Sequence, residues 1–529
     1  MERMRIANLG SVGLNTDVQP YLLPPEAWTQ LYNCRTEDGE LRSVVGNQKL
    51  FDLAIRPTYH TSYVGPTGTP YLVVSDGAKT FIYDIQGNGT EITPASGAWA
   101  GGFVSFPVLN GVLVVNSASD GPFYLDTSVA LGPMLALPGW DPTWRCREMV
   151  VHRYYLVALN MTEGAALFPH KVRWSNSAQE GSLPTEWVAS ASNDAGSDLA
   201  GETPGDIVGG RLVRDSLYIV KEDAVYDMRW IGGQFIFEID RMKGGVGTKL
   251  QRGFTEMLGS LVVVTTSDLR VFDGTRDISI ADAKVRKGIS NAISDEYWKE
   301  SQVFYHKPTS TLYLAGVSAG YNQLSNALTY NTEEATWGHR DVRFSYGFDS
   351  IFVDTSGNSL TWDDLGTPAP TNGSWIPGQP WDSQTNGSWD KGLYQAGVQD
   401  IVIYEGDDSD LAWWVSVIAR TNTNSDGSEK VCRAERVAVP IEGAEGLAEI
   451  TRVWPEIRGE APVDMWIGGQ MAANGNVQWD GPFRVVPGET ESIDPLITAR
   501  YVSVKLQSED VGSWSLGSIT VEWEPAGEN

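Results

Sequence analysis

Cysteine is scarce in this chain of 529 residues: Cys34, Cys146 and Cys432 are an odd number and stand far apart in the sequence. Such a set excludes a disulfide framework and fits folding in a reducing compartment. No CxxC occurs, and His60, His152, His170, His306 and His339 are never paired at metal-ligand spacing, which argues against a structural zinc site. Long apolar runs are missing as well. Nothing approaches the roughly 18 residues that a membrane-spanning helix needs, and runs such as 261–264 are strand-sized, so no stable membrane insertion is expected. No apolar segment follows the opening residues Met1 to Ile6, so no secretory signal is expected.

Positive charge is also in short supply. The chain carries 39 Lys and Arg against 67 Asp and Glu, a net of −28. Binding nucleic acid by phosphate neutralisation requires stripes of Lys and Arg, and these are absent. The excess is uneven: residues 400–528 hold 23 acidic and 9 basic residues, a net of −14. Two readings stay open, simple solubility or a surface that DNA passes without sticking. The most basic stretch, 241–252, is too thin for a nucleic-acid stripe but could pair with an acidic neighbour.

What is plentiful is glycine (56), proline (27), tryptophan (20) and tyrosine (20), the composition of many short strands joined by turns. In the first fifty residues, Leu23-Pro24-Pro25-Glu26-Ala27-Trp28 predicts the start of a short helix carrying Trp28, Leu31 and Tyr32 on one side. A strand from Asn33 then meets Asp38-Gly39, a hairpin signal, and returns through Leu41 to Val45.

From about residue 51 a theme recurs. An apolar strand and a polar turn lead to a second strand that ends on an aromatic residue followed by Asp or Asn. Its closing rings are Tyr83, Tyr124, Tyr226, Phe272 and Tyr330, at steps of 41, 102, 46 and 58, the long step being two units of 51. A cadence of roughly 40–60 residues with about four strands per unit is that of propeller blades. A weakened copy is expected near Ser359 to Trp362. The near-repeat Thr371-Asn-Gly-Ser-Trp375 and Thr385-Asn-Gly-Ser-Trp389 reads as a loop whose tryptophans serve as packing anchors or as a carbohydrate platform. The predicted fold is therefore all-β. It has an N-terminal helix/hairpin segment (1–50), a β-propeller (51–365), a Trp/Gly/Pro-rich loop region (366–395), and an acidic C-terminal module of β-sandwich-like or platform type (396–529).

No motif yields a catalytic, metal or cofactor site. Gly316-Val-Ser318-Ala-Gly320 has the letters of a nucleophile elbow, but a second strand follows it where the motif needs a helix, so a hairpin turn is expected. The run from Asn422 to Gly427 imitates half an EF-hand loop, yet its twelfth position is Arg433. Gly244-Gly-Val-Gly247 lacks the Lys-Ser/Thr of a P-loop and reads as a turn. Carboxylates are numerous, but nothing singles out a glycosidase pair.

Two stretches resemble tail proteins of bacteriophages. The first runs through Gly13-Leu-Asn-Thr-Asp17, Leu22-Leu-Pro-Pro-Glu-Ala-Trp28, Asn33-Cys-Arg35 and Asp38-Gly-Glu-Leu41. The second includes Val172-Arg-Trp-Ser-Asn176, Leu217-Tyr-Ile-Val-Lys-Glu-Asp223 and Asp268-Leu-Arg-Val-Phe-Asp-Gly274, and is similar to the tail nozzle of short-tailed phages. The resemblance spans roughly residues 10–350, with Leu23, Pro24, Trp28, Asn33 and Gly39 as structural signature positions. It implies a structural virion protein, made in the host bacterial cytoplasm, of which about six copies ring a tube below the portal and adaptor. DNA would leave through that tube without specific binding, spikes or fibres would attach outside, and neither cofactor nor enzymatic activity is implied. The alternative is a carbohydrate-binding or carbohydrate-active propeller.

Overall fold

The computed structural model describes every residue except 66–67, 129–130, 180, 234, 243, 293–297, 319–320, 353–398, 419–429, 442–445, 510–511 and 527–529. Among the described residues, strands dominate and pair into seven blades and a two-sheet sandwich. Blade one is Tyr59–Val64, Pro70–Ser75, Thr80–Asp84 and Gly89–Glu91, each strand antiparallel to the next. Blade two is built on Val112–Ser117 and Gly121–Tyr124, blade three on Tyr155–Glu163 and Ala166–Trp174, and blade four on Ser216–Lys221 and Val225–Trp230. Blade five is built on Ser260–Val264 and Leu269–Phe272, and blade six on Thr311–Gly316 and Leu324–Asn331.

The long strand Thr336–Phe352 ends blade six and then begins blade seven. Its first part pairs with Leu324–Asn331 and its last part with Gln399–Asp407. Blade seven continues through Ala412–Ile418 and is completed by Asn47–Leu53, from the other end of the chain. The propeller is therefore closed by pairing residues more than three hundred positions apart.

Closure is also written in side chains. Successive residues of a strand face opposite ways, so each blade's second strand feeds two seams. Val157 and Leu159 join Leu217 and Ile219 between blades three and four. Tyr218 and Val220 turn the other way, to Leu261 and Val263 of blade five. Val262 and Val264 meet Leu312 and Leu314 of blade six, and Tyr313 and Ala315 meet Ile401 and Ile403 of blade seven. Val402 and Tyr404 close on Leu72 and Val74 of blade one, Val73 packs with Leu113 and Val115, and Val114 packs with Leu156 and Ala158. Seven seams in one cycle make a ring. Each fully buried Leu, Val or Ile contributes about 1.5–3 kcal/mol relative to exposure.

The recurring Asp or Asn has a local cause. Asp84, Asp126, Asp273 and Asn331 end third strands, and their side-chain oxygens accept backbone N–H groups two to four residues on, at 2.7–3.0 Å where the bond is to Gln86, Ser128, Arg276 and Glu333. These are Asx turns, which start the return to the fourth strand. In blade four the acid, Asp227, lies within the strand Val225–Trp230 instead. The double step in the cadence is filled by blade three, whose third strand ends on Trp174 followed by Ser175, without the acid.

The sandwich follows blade seven. One sheet is ordered Gln478–Val485, Val463–Gln470, Tyr501–Ser508, Cys432–Pro440 and Gln30–Tyr32. The other packs Ile497–Ala499, Ala448–Gly459 and Trp514–Pro525, with Glu2–Ala7 and Glu40–Ser43 paired to the far edge of Trp514–Pro525. Both sheets share one core with blades five and six, in which Leu506, Val521 and Trp28 lie in the same cluster as Leu314.

Two expectations are corrected. The helix predicted after Leu23-Pro24 is absent: a single 3-10 turn, Pro20–Leu22, is followed by the strands Ala27–Trp28 and Gln30–Tyr32. Pairing in the sandwich wins, because Thr29 N–H bonds to Glu435 O and Leu31 sits opposite Ala434. The boundary at 396 also moves. Gln399–Asp407 and Ala412–Ile418 belong to blade seven, and the sandwich begins with Cys432–Pro440. Blade seven lacks the cadence because its fourth strand comes from the N-terminal segment, so sequence order does not mark its end. The hairpin predicted across Asp38-Gly39 is present as Cys34–Glu37 and Glu40–Ser43.

Candidate functional site

Of the five signature residues, Asn33 sits where the N-terminal segment joins the sandwich to blade six. Asn33 is the node. It takes the left-handed conformation at φ 53°, which Asn tolerates better than most residues, and there the chain leaves a sandwich sheet for the hairpin. Its N–H donates to His339 O at 2.8 Å, and its own carbonyl accepts Val44 N–H at 3.0 Å. Its side-chain Nδ2 donates to Val431 O at 2.8 Å, and Oδ1 accepts Asp341 N–H at 2.8 Å. One buried residue thus ties sandwich, hairpin and blade six together. Beside it Tyr32 stacks on His339, with ring centroids 4.9 Å apart. Burial pushes the Tyr32 hydroxyl up to about 12 and His339 down to about 4.

The other signature residues bond within the N-terminal segment or to the sandwich. Trp28, buried, donates from Nε1 to Leu9 O at 2.7 Å. The Leu23 carbonyl accepts from Arg436 Nη2 at 3.0 Å, Pro24 O lies at 3.4 Å from the same nitrogen, and Pro20 O accepts from Nη1 at 2.9 Å. Burial of this guanidinium lowers Arg436 to about 10. Gly39 follows Asp38 with φ of 73° and 55°, the two positive angles of a tight hairpin turn, and its carbonyl accepts Gly10 N–H at 2.9 Å. A polar cavity of about 130 Å³ lies between this hairpin and blade six, lined by Arg35, Glu37, Asp38, Asn331 and Glu334. It is below the roughly 300 Å³ at which pockets for small organic ligands begin.

A second polar group fills the middle of the propeller. Arg252, entering blade five, donates to Tyr346 O of blade seven at 3.3 Å and to Thr58 O just before blade one. Blade six stands between blade five and those partners along the ring, so this side chain links blade five to segments beyond its neighbour. Gln251 bridges blades three and four, accepting from Arg147 Nε at 2.6 Å and donating to Val208 O at 2.7 Å. Gly209 lets Glu148 and the Phe254 ring approach the backbone, where a Cβ would force both to shift. Glu148 accepts Gly210 N–H at 3.0 Å, and burial pushes its carboxyl up to about 7. Asp349, buried and bonded to Ser62, rises to about 6, and the Arg211 guanidinium opposes both shifts. His60, stacked 4.1 Å from Tyr404, falls to about 3 through burial and the nearby Arg252. These groups can hold or release protons at the core of the ring. No cluster of three or more potential metal ligands occurs among the described residues.

Ser318 lies in the connection between the paired strands Thr311–Gly316 and Leu324–Asn331, its N–H bonded to Ser325 Oγ at 2.9 Å. That is the expected hairpin. Gly244 has φ 87°, and Gly247 packs on the Lys221 carbonyl, both in the turn expected there. The tryptophan repeat with Trp375 and Trp389, the weakened copy at Ser359 to Trp362, and the EF-hand-like run from Asn422 lie outside the described residues. What the sequence conceals is that two of the three cysteines, Cys34 and Cys432, are buried in one cluster beside the node.

No family model and no curated protein matches the chain. Among solved structures it is similar to a streptogramin B lyase, at 11% identity over 57% of this chain and 90% of that one, TM-score 0.36. It is also similar to the selenomethionine-substituted virginiamycin B lyase from Staphylococcus aureus, at 9% identity over 58% and 89%, TM-score 0.35. The AfRom2 CNH domain matches at 8% identity over 72% and 99%, TM-score 0.36. The assignment of a propeller rests on the strand pairing and the seams, not on these likenesses.

Proposed function

We propose that this chain is a structural subunit of a short-tailed phage tail, of the nozzle type, and that it acts through its surfaces in an assembled ring. The observation that supports the reading is that Asn33, one of the residues of the resemblance, bonds to blade six and to the start of the sandwich, while Leu23 and Pro24 bond to Arg436 of the sandwich. Propeller and sandwich also share one buried core, which suits a load-transmitting subunit. In this reading DNA passes through a lumen between subunits and not through the blade ring, whose inner side holds the bonds of Arg252 to Tyr346 O and Thr58 O. About six copies would surround that lumen. The adaptor would sit above them and spikes or fibres outside.

Mass photometry and negative-stain imaging of the purified chain, alone and with its adaptor, test this. Closed rings of about six copies are expected. A chain that stays monomeric at every concentration with the adaptor present overturns the reading.

A further inference from the structure

We propose that the outward face of the sandwich sheet containing Val463–Gln470 and Tyr501–Ser508 binds a neutral glycan, whose sugar rings stack on Trp466 and Trp479 and whose hydroxyls accept from Lys505. The activity is separate from assembly of a ring and does not depend on it. The face follows from strand alternation. Met465, Ile467, Val504 and Leu506 point into the core shared with the propeller, so Trp466, Gly468 and Lys505, which alternate with them, point outward. Trp466 stands opposite Lys505 in the ladder, and Gly468 stands opposite Trp479 of the edge strand Gln478–Val485. Register thus brings two tryptophans and a lysine from three neighbouring strands to one side of the sheet.

Packing leaves these side chains free to meet a ligand. Both indoles are half-buried, and neither belongs to the sandwich core. Gly468 lets Trp479 lie against the sheet, since a Cβ there would meet two atoms of its ring at 2.8 and 2.9 Å. Lys505 Nζ lies 4.1 Å from the Trp466 centroid and 6.0 Å from that of Trp479, within cation–π range of both rings. Among the described residues this ammonium has no hydrogen bond and no ion pair, so its three donors are unspent. The neighbouring carboxylates have other cations: Glu435, opposite Lys505 on the next strand, pairs with Arg433 at 3.0 Å, and Asp464 pairs with Arg484 at 3.4 Å.

The chemistry of the face selects its occupant. A sugar ring presents an apolar C–H face, which stacks on an indole, and a rim of hydroxyls, which accept from an ammonium and donate to a carboxylate. Lys505 and Glu435, side by side in the ladder, offer both. A peptide strand would pair with the edge of a sheet and not with its face. The centre of a protein–protein interface is depleted of charge, whereas these rings stand among Lys505, Glu435, Asp464 and Arg484. The net charge of −28 repels nucleic acid and acidic polysaccharide alike, which leaves a neutral glycan.

The purified full chain is run in native gels cast with dextran, galactomannan or hydroxyethyl cellulose, and with polygalacturonate as the acidic comparison. Retardation by at least one neutral polymer is expected, and none by polygalacturonate. Trp466→Ala and Trp479→Ala should each weaken binding about tenfold or more. Lys505→Met should weaken it with both rings in place, and Trp479→Phe should keep part of it. Urea unfolding of each variant separates lost binding from lost folding, and ring formation by the same variants should be unchanged. No retardation by any neutral polymer, retardation by polygalacturonate as strong as by a neutral one, or full binding retained by the folded variants overturns the proposal.

Discussion

At the scale of single residues, the joint depends on Asn33, whose backbone and side chain are bonded on all sides. Asn33→Ala removes two side-chain bonds, leaves Val431 O and Asp341 N–H short of partners, and puts alanine at φ 53°. A loss of about 2–4 kcal/mol in urea unfolding is expected. Asn33→Gly, which keeps the backbone conformation, should recover about 1 kcal/mol of it. Equal losses in the two variants would show that strain plays no part.

Glu148 supplies a pH test. Its carboxyl is raised from 4.5 to about 7, so between those values the folded chain keeps a proton that the unfolded chain has released. Its contribution therefore falls as pH rises through that window and is lowest above 7. Asp349 acts in the same direction between 3.8 and about 6. His60, depressed from 6.5 to about 3, acts in the opposite direction, its contribution falling as pH drops. These opposed slopes flatten the wild-type profile. Glu148→Gln keeps an acceptor for Gly210 N–H, so its stability relative to wild type should rise between pH 4.5 and 7. A gain of about 2–3 kcal/mol at pH 8 is expected by thermal unfolding across a pH series. A gap that does not change with pH would refute the buried-proton account. Ser318→Ala removes only the bond from Asn326 Nδ2 to Ser318 Oγ, so it should cost about 1 kcal/mol in thermal unfolding and leave assembly unchanged.

At the scale of elements, the blades were legible wherever their signals were local. Tyr83-Asp84, the stretch from Tyr124 to Asp126, Phe272-Asp273 and Tyr330-Asn331 each mark a third strand and its Asx turn within a few residues. Blade three escaped because Ser175 follows Trp174 where the others place an acid. Blade seven escaped because Asn47–Leu53 completes it from the opposite end of the chain, and no local pattern announces so distant a partner. The same cause misled the reading of Trp28. Pro24 and Glu26 do favour a helix start, but the strand ladder to Cys432–Pro440 decides the outcome. Asn33 was singled out by resemblance alone, since its four bonds cannot be read from neighbours in sequence. The closing strand yields a sharp prediction. A chain lacking residues 1–53 leaves Val415 and Val417 with an unpaired edge strand, and it should lose hydrogen-exchange protection across Ala412–Ile418. Retained protection there would mean that blade seven is stable without its fourth strand.

At the scale of the whole molecule, charge is the property that links the fold to a role. Of the net −14 over residues 400–528, the part carried by described residues falls on the last strands of blade seven and on the sandwich, and Arg420, Asp426, Glu429, Glu442, Glu445, Asp510 and Glu528 lie outside the described residues. Part of it is neutralised locally: Glu456 pairs with Arg5, and Asp494 with Arg452. Glu460, Glu489 and Glu491 are exposed on the sandwich, with no salt bridge among the described residues, and they are the groups to alter. If they line the ring's lumen, like charge keeps DNA from the wall over about one Debye length, roughly 8–10 Å at physiological salt. Replacing all three with Lys should then make assembled rings retain DNA in gel electrophoresis. Retention should weaken steeply with salt, because each phosphate contact releases counterions. Ring formation should be unaffected, since exposed substitutions away from packed features typically change stability by within about 0.5 kcal/mol each. If the sandwich instead meets a basic partner, the same variant should block assembly with the adaptor and bind DNA no better than wild type. If assembly and DNA retention are both unchanged, the acidic surface serves solubility alone, and the proposed role loses its electrostatic support.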